Sequence, residues 1–388
     1  MECRPWRLAI VALAFTLTLA LSACAPTATP TPTPTKPPAT VPTPAASPTV
    51  AAAKPSPVAP TTTPAQPTAP AKLTSVRFGS PGAVSDGGVY IAIDKGYFKE
   101  VGLDVQIQSF QSGPMLIAPL AAGELEVGGG VISTGLLNAI DRGVAMKIVA
   151  TKGSSTKGFE FSRVTVRKDL IDSGQIKEVK DVKGKKIAVP SVKSGAEAQV
   201  SFFVKQGGLK ITDVELVAMG FPDMLVAYGN KAIDLAVQTE PTLNAAVERG
   251  LAVRWPPGAM GEAFYGGEYQ AATLLYSEQF SKNTDAARRF MVGYIKGLRD
   301  YNDAFVKGKN KAEVVAILTK YSSEKDPTLF NKMEMPFLNP DGKIHVPSMK
   351  MDFDFFKEMG YYTGKLELQL LIDMQFVDYA VQQLGPYK

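Results

Sequence analysis

From Leu73 onward, apolar positions follow two alternating periods along the chain. Runs in which every second residue is apolar lead into turns rich in glycine or serine, and then into stretches with apolar positions at helical spacing. This succession is typical of α/β proteins with parallel-rich sheets. The first series predicts strands at 76–79, 103–109, 127–130 and 147–151, and helices at 84–95, 114–122 and 134–142.

A second series of the same kind predicts a second lobe. Its strands are expected at 186–190, 215–219, 234–238 and 252–255, and its helices at 196–206, 223–230 and 241–249. One more strand is predicted at 269–276, and the pattern then becomes helical, at 284–305, 311–321, 327–332, 349–359 and 371–384. Because these helices need a sheet to cover, we expect the chain to return to the first lobe there.

The chain is therefore expected to cross between two lobes twice, near 161–167 and near 266–270. We assign 73–164 and 268–388 to lobe one, and 165–267 to lobe two. A folded part of this length holds two lobes of ordinary size, and its apolar content is ordinary for a globular protein.

The N-terminus carries the pattern of a secretion signal. Arg4 and Arg7 precede an apolar run at 8–20, which is short for a transmembrane span. The Leu-Ser-Ala-Cys sequence that follows at 21–24 resembles the bacterial lipobox, in which the cysteine is lipidated and becomes the first residue of the mature chain. We expect 1–23 to be removed and Cys24 to anchor the protein in a membrane. The alternative is a secreted protein whose signal happens to contain a cysteine.

Between Cys24 and Lys72 the chain consists almost entirely of threonine, proline and alanine, and Lys36 and Lys54 are the charged residues of this stretch. Such a segment cannot bury a core, and its prolines favour extended polyproline II. At about 3 Å per residue it would hold the folded part up to roughly 140 Å from a membrane. The segment is predicted to be a disordered tether, and an O-glycosylated stalk would serve the same role.

Composition excludes several classes of function. The net charge of +5 is small for 388 residues and the basic residues are not gathered in one stripe, so nucleic acid is not an expected partner. Cys3 leaves with the signal, so the mature domain holds no internal disulfide and no cysteine metal site. His345 lies in a loop without a second type of metal ligand nearby, and the chain has no nucleotide-binding glycine motif. We predict no metal and no cofactor.

Four blocks of the chain resemble one protein family. They are IAIDKGYF at 91–98 with GLDV at 102–105, LAAGELEVG at 120–128, DVKGKKIAV at 181–189, and AIDLAV at 232–237 with Glu240-Pro241. In this order they resemble the solute-binding proteins for nitrate, taurine, aliphatic sulfonates and thiamine-pyrimidine precursors, over 74–305. The resemblance implies an α/β, two-lobed periplasmic-binding-protein-like fold of type II, in which each lobe is a mixed sheet flanked by helices and two connections cross over. These blocks belong to every branch of the family, so they specify the scaffold rather than the ligand.

Ligand contacts are expected in the turns that follow strands and open helices. In open α/β sheets the carboxyl ends of the strands form the binding crevice, and helix N-termini present free N–H groups there. In lobe one this rule selects Ser85, Asp86, Gly87, Gln111, Ser112, Gly130, Ser133 and Thr134, together with the nearby Lys152. Ser133 and Thr134 are equally explained as helix caps, and the glycines at 128–130 as a bulge.

In lobe two the same rule selects Ser194, Gly195, Phe221, Asp223, Gln238 and Glu240, with Tyr265 added from the second crossing. The two acidic residues would also suit the positive ends of helices, and Phe221 would suit a core. The turns hold no arginine, and Lys152 and Lys193 are the cations near them. A simple anion is not clearly indicated, although backbone N–H groups can hold one, and a neutral or cationic solute fits the acidic turns slightly better.

The resemblance implies a binding protein without catalysis. A small solute bound by one lobe would draw the two lobes together, and the closed form would dock on an ABC permease that works with an ATPase. A receptor subunit that signals to a membrane sensor remains an alternative that the sequence does not separate from transport. A pyrimidine synthase of the same fold is the enzymatic alternative, but it depends on its own histidine and on a cysteine-rich motif, and the mature chain offers His345 and Cys24 alone.

Overall fold

The computed structural model describes residues 73–261 and 266–388, so the predicted signal, lipidated Cys24 and tether lie outside the described residues. The described strands are β1 Thr74–Ser80, β2 Leu103–Ser109, β3 Val127–Gly130, β4 Lys147–Thr156, β5 Ser162–Arg167, β6 Lys186–Val189, β7 Glu215–Ala218, β8 Leu235–Thr239, β9 Ala252–Val253 and β10 Glu268–Tyr276. The described α-helices are α1 Gly87–Asp94, α2 Tyr97–Glu100, α3 Ile117–Ala122, α4 Thr134–Asp141, α5 Lys168–Asp172, α6 Gly195–Lys205, α7 Phe221–Gly229, α8 Thr242–Glu248, α9 Glu278–Lys282, α10 Thr284–Phe305, α11 Lys311–Tyr321, α12 Val346–Glu358 and α13 Gln375–Leu384. Within the described ranges, no helix is both long enough and apolar enough to cross a membrane.

The first sheet has the strand order β2-β1-β3-β10-β4. β1 pairs in parallel with both neighbours, and Phe78 stands opposite Ile107 on one side and Val127 on the other. β10 runs antiparallel between β3 and β4. The predicted return of the chain to the first lobe is therefore confirmed, and it places the returning strand inside the sheet rather than at its edge.

The second sheet repeats this arrangement in the order β7-β6-β8-β5-β9. β6 pairs in parallel with β7 and β8, and β5 runs antiparallel between β8 and β9. Each lobe is thus a mixed sheet flanked by helices, as the fold class predicted.

The stretch 161–167 was expected to be a crossing between the lobes, and most of it instead forms β5. Val164, Thr165 and Val166 are β-branched and fully buried, a composition that fits a central strand. The crossing is limited to the residues between Thr156 and Ser162. The expected boundary between 164 and 165 falls inside this strand, and the exact limits of the lobes stay a prediction.

Smaller differences concern helix ends. The predicted helix at 327–332 is a 3₁₀ helix at Pro327–Asn331, and only Gln375–Leu384 of the predicted 371–384 is α-helical.

Gly96 ends α1 with a φ of 79°, the left-handed conformation that glycine adopts without strain, and α2 begins at the next residue. Phe98 of α2 is buried and stacks on Phe290, so this aromatic position is structural.

One core of lobe one lies between the first sheet and α10. Phe290, Tyr294 and Leu298 of this helix are fully buried, and the Tyr294 hydroxyl donates to the Thr151 carbonyl of β4 at 2.8 Å. α10 also approaches α1 so closely that a Cβ atom at Gly297 would lie 2.0 Å from the carbonyl oxygen of Gly88. The glycine at 297 is therefore required by the contact between these two helices.

Helix α12 connects the two lobes through side-chain packing. It contacts β10 of lobe one and α6 of lobe two. The rings of Phe355 in α12 and Phe202 in α6 lie 6.3 Å apart, and just beyond α12 the Tyr361 hydroxyl donates to Glu197 of α6 at 2.7 Å. The C-terminal region thus holds the lobes together on this side.

Replacing Gly297 with alanine is expected to destabilise the protein by about 2 kcal/mol or more, because the new methyl group would collide with backbone rather than with a movable side chain. Gly229→Ala at the end of α7 is the matched control, since a Cβ there meets nothing within 4 Å, and its effect should stay within about 0.5 kcal/mol. Urea unfolding followed by circular dichroism measures both changes. Equal stability of the two variants would contradict the proposed helix contact.

Candidate functional site

A small cavity of about 50 Å³ lies between the lobes, where the strands of the two sheets end. Pro81, Gly130 and Val131 follow or end strands of lobe one, and Pro190 and Thr239 do so in lobe two. The remaining lining residues are Ala83, Ser85, Gly113, Pro114, Gly129, Lys152, Phe161, Phe221, Ala271 and Ala272. The carboxyl ends of the strands thus form the crevice, as the topology of open α/β sheets requires.

A larger groove of about 550 Å³ lies between α6 and α12, with Phe202, Leu209 and Met351 among its walls. It lies away from the strand ends of both sheets. The cavity at the strand ends is therefore the candidate functional site.

Lys152 and Asp86 form a buried ion pair at the wall of this cavity. The Lys152 ammonium lies 2.6 Å from Asp86 Oδ1 and donates to Ser85 Oγ at 3.0 Å, and the two charged side chains are only 3% and 0% exposed. Asp86 Oδ2 accepts from the hydroxyls of Ser80 at 2.7 Å and Tyr90 at 3.3 Å. Burial, reinforced by the neighbouring carboxylate, holds the pKa of the Tyr90 hydroxyl well above its usual value. Asp86 is thus bonded by the protein itself.

The three-glycine run that precedes α4 makes room for side chains of the protein. A Cβ at Gly129 would lie 2.2 Å from Lys152 Cε, and one at Gly130 would lie 2.7 Å from Leu275. Gly129 therefore lets the aliphatic part of Lys152 pass close to the backbone on its way to the cavity wall. This packing accounts for these two glycines without a ligand.

The turns that open α4 and α6 bond to each other across the cleft. The Thr134 N–H donates to the Lys193 carbonyl at 3.0 Å, and the Gly195 N–H donates to the Ile132 carbonyl at 3.1 Å. Ser133 and Ser194 face each other in this short antiparallel bridge. We call these paired turns, 132–134 and 193–195, the interlobe bridge. Four residues that were selected as ligand contacts are therefore brought together, but by direct pairing of the lobes.

Ser133 also caps its helix, since its hydroxyl accepts from the Leu136 N–H at 3.3 Å. The capping explanation that the sequence left open is thus correct for Ser133, while the Thr134 hydroxyl bonds to the Lys193 carbonyl at 3.2 Å. The Ser194 hydroxyl bonds to the Ser191 carbonyl at 2.7 Å and does not cap α6.

Glu240 is fully buried on the lobe-two side and is held by several partners. Its carboxylate lies 2.7 Å from Arg254 and accepts from the backbone N–H groups of Asn244 at 2.9 Å and Glu334 at 3.3 Å. Burial raises the pKa of Glu240 above its usual value, while Arg254 and these donors favour the charged form. The bond to Asn244 satisfies the start of α8, so the structural role that the sequence offered for Glu240 is the observed one. Glu334 also pairs with Arg163 of β5, which adds a second connection between the lobes.

Two predicted residues keep a buried polar atom without a hydrogen-bond partner among the described residues. Ser112 Oγ is one, in the turn that leads to the cavity residue Gly113. The amide nitrogen of Gln238 is the other, although its oxygen accepts from the Thr165 hydroxyl at 3.1 Å. Both atoms could bond to water or to a bound solute.

The remaining predicted contacts divide among different places. Phe221 lines the cavity, whereas Asp223 of the same helix is exposed. Gly87 faces the core, since a Cβ there would lie 3.1 Å from the Tyr301 ring. Gln111 is exposed, and its Cβ would lie 3.0 Å from a Cβ built at Gly220 of lobe two. Tyr265 lies outside the described residues.

Sequence reasoning missed several walls of the cavity. Pro81, Pro190 and Thr239 follow directly from the strand-end rule once the strand limits are known. Phe161 and Ala271 lie beside the two crossings, and the misassignment of β5 as a connection concealed the first of them. His345 lies outside the lining residues, with its ring Nδ1 3.0 Å from Ser348 Oγ. No cluster of possible metal ligands occurs within the described ranges.

Comparison with known proteins identifies one family. The family described as NMT1/THI5 like matches residues 85–303, which is more than half of the chain. A Brucella abortus (strain 2308) protein named as a binding protein is 29% identical over 236 residues, which cover 60% of this chain and 66% of that protein. The taurine-binding periplasmic protein of Escherichia coli K12 is 27% identical over 159 residues, 40% of this chain and 46% of that protein. The matched region thus spans less than two thirds of either relative.

Solved structures share the fold at low sequence identity. The nitrate-binding protein NrtA of Synechocystis PCC 6803 superposes with a TM-score of 0.65 at 14% identity, over 81% of this chain and 90% of that one. The desulfurization enzyme DSZB superposes with a TM-score of 0.52 at 13% identity, over 80% and 99%. The fold is therefore used by a binding protein and by an enzyme.

Substituting Thr134 with proline tests the interlobe bridge, because proline removes the N–H that donates to Lys193 while fitting the first position of α4. Ser133 already has the extended conformation that a residue before proline prefers. Loss of the bond should shift the balance between open and closed lobes about two- to tenfold toward open. Small-angle X-ray scattering without added solute should then give a larger radius of gyration.

Thr134→Val is the matched control, since it keeps the N–H and removes only the hydroxyl bond to Lys193. It should scatter almost as the unmodified protein does. A proline variant with unchanged scattering and an intact helical signal would show that the bridge does not hold the lobes closed.

Proposed function

The chain belongs to the NMT1/THI5-like family, and on that premise we propose that it is an extracytoplasmic solute-binding protein of an ABC importer. It would capture a small organic solute or anion between its lobes and deliver it to a membrane permease. Two of the similar proteins are named for binding nitrate and taurine, so we expect a solute of similar size for this chain.

One observation carries this proposal: the cavity is walled by both lobes at the carboxyl ends of both sheets. Phe221 closes it from lobe two, Phe161 lines it from the first crossing, and Lys152 reaches it from lobe one. A solute enclosed in this way would touch both lobes at once, so its binding would favour the closed arrangement over the open one.

The direct bonds between the lobes bear on this mechanism. The interlobe bridge and the Arg163–Glu334 pair join the lobes directly through protein atoms. Because these contacts already favour the closed arrangement, a bound solute needs to contribute only the remaining free energy that makes closure persist. Micromolar affinity corresponds to about 8 kcal/mol in total, which is within the range of an enclosed small molecule.

Delivery to a membrane is supported by the sequence at the N-terminus. Lipidation of Cys24 would anchor the protein, and the threonine- and proline-rich segment to residue 72 would give the lobes reach toward the permease and its ATPase. A signalling receptor would need the same anchor and the same closure, so the gene neighbourhood, with a permease or a sensor kinase, separates these two roles.

Solute binding should raise the melting temperature of the purified protein. A screen against nitrate, taurine, alkanesulfonates, pyrimidines, riboflavin and small amines by thermal shift is the test, and a solute at 100 times its Kd should add about 2.7 kcal/mol to the free energy of unfolding. Phe221→Ala should abolish the shift, because it removes one wall of the cavity.

Val226→Ala on the same helix is the control, since this side chain is 63% exposed and does not line the cavity. It should bind as the unmodified protein does. A solute whose effect survives Phe221→Ala would bind elsewhere, and turnover of a compound in place of binding would contradict the transport role.

A further inference from the structure

The charged side chain that lines the cavity between the lobes is paired with an opposite charge of the protein. Among its described lining residues Lys152 is the one that carries a charge, and its ammonium is already paired with the fully buried Asp86. The other walls are glycine, alanine, valine, proline and phenylalanine side chains, with two hydroxyls from Ser85 and Thr239. A charged solute would therefore find no unpaired countercharge on these walls.

Charged groups behind the walls are paired as well. Glu240 is bonded to Arg254 and to two backbone N–H groups, and Arg163 is bonded to Glu334. Asp86 and Glu240, two of the acidic residues that favoured a cation in the sequence, are thus paired with basic residues from elsewhere in the chain. Asp223, a further one of these acidic residues, points into solvent.

Two helix N-termini that face the cleft are also occupied. The first N–H of α4 donates to Lys193, the first N–H of α6 donates to Ile132, and the Leu136 N–H is taken by the cap of Ser133. Helix N-termini bind anions through such free N–H groups, so α4 and α6 offer fewer of them here. α7 has no side-chain cap, but it carries the carboxylate of Asp223 in its first turn, which balances the positive end of the helix.

We propose that the solute of this cleft is uncharged and largely apolar, and that an acceptor atom of the solute receives a hydrogen bond from Lys152. This inference rests on the proposed solute-binding function. An ammonium has three N–H donors, of which Asp86 and Ser85 use two, so one remains for the solute. An anion or a cation would bring an uncompensated charge against walls made mostly of apolar side chains, which is costly.

Matched pairs of probes that differ in charge and little in shape test this inference on the full chain. Dimethyl sulfone against methanesulfonate is one pair, and acetamide against acetate is the other. Calorimetric titration should show that the neutral member of each pair binds at least tenfold more tightly than its anionic partner.

Charge substitutions sharpen the test. Asp86→Asn leaves the Lys152 charge unpaired, so methanesulfonate and acetate should gain at least tenfold in affinity. The double variant Asp86→Asn with Lys152→Met removes both charges and should lose this gain. Asp172→Asn removes an equal charge from a carboxylate that is 56% exposed, and it should change nothing.

Circular dichroism shows whether each variant folds. If Asp86→Asn does not fold, the relative affinity of the unmodified protein for the neutral and the anionic member of each pair still tests the inference. Anions that bind the unmodified protein as tightly as their neutral partners would overturn the inference and leave the solute-binding function standing. Absence of binding by all four probes, in the unmodified protein and the folded variants, would overturn the inference, and failure of every solute in the thermal-shift screen as well would overturn the solute-binding function.

Discussion

The insertion of β10 between β3 and β4 is the constraint on which the rest of the architecture depends. Without this strand, β3 and β4 would each present a row of unpaired backbone groups in the middle of the first sheet. Lobe one therefore cannot complete its sheet until the chain has passed through lobe two and returned. The second sheet repeats the device, since β5 fills the place between β8 and β9 directly after the first crossing. Phe161 of the first crossing and Ala271 of β10 consequently both line the cavity.

This topology also explains why charged groups and backbone turns of the two lobes bond to each other at the cleft. Two connections keep the lobes close, so turns at the strand ends of one lobe meet those of the other. The interlobe bridge arises at such a meeting, and the Arg163–Glu334 pair and the bond from Tyr361 to Glu197 join other parts of the two lobes. Each exchanges a bond to water for one within the protein, with a net gain of about 0.5–1.5 kcal/mol for a neutral hydrogen bond and about 1.5–3 kcal/mol for a bond to a charged group. Contacts of this size leave the closed arrangement easily reversible, as capture and release of a solute require.

Most of the fold could be predicted from the alternation of apolar positions, because every long strand and helix has a clear period. β5 was missed because its Val164-Thr165-Val166 run stands between turns, where a connection was expected. The strand-end rule located the right turns, including those of Ser85, Gly130 and Phe221, which line the cavity. It could not show that Asp86 is neutralised by Lys152, 66 positions away, or that Thr134 bonds to Lys193, 59 positions away. Partners at such distances are set by the packing of the lobes, which no local pattern reveals.

The pairing of Lys152 with Asp86 bears on which solute the cleft accepts, whereas the sheets and helices form the scaffold. A lysine at the strand ends of a two-lobed binding fold would bind an anionic solute if no carboxylate of the protein were paired with it. Here the countercharge comes from Asp86, which the protein orients through Ser80 and Tyr90 and shields completely from solvent. One carboxylate in the turn after β1 therefore converts a potential anion site into a neutral one, without altering a strand or a helix. Relatives that share the sheets and the four sequence blocks need not share this residue, so their solutes do not transfer to this chain with the fold.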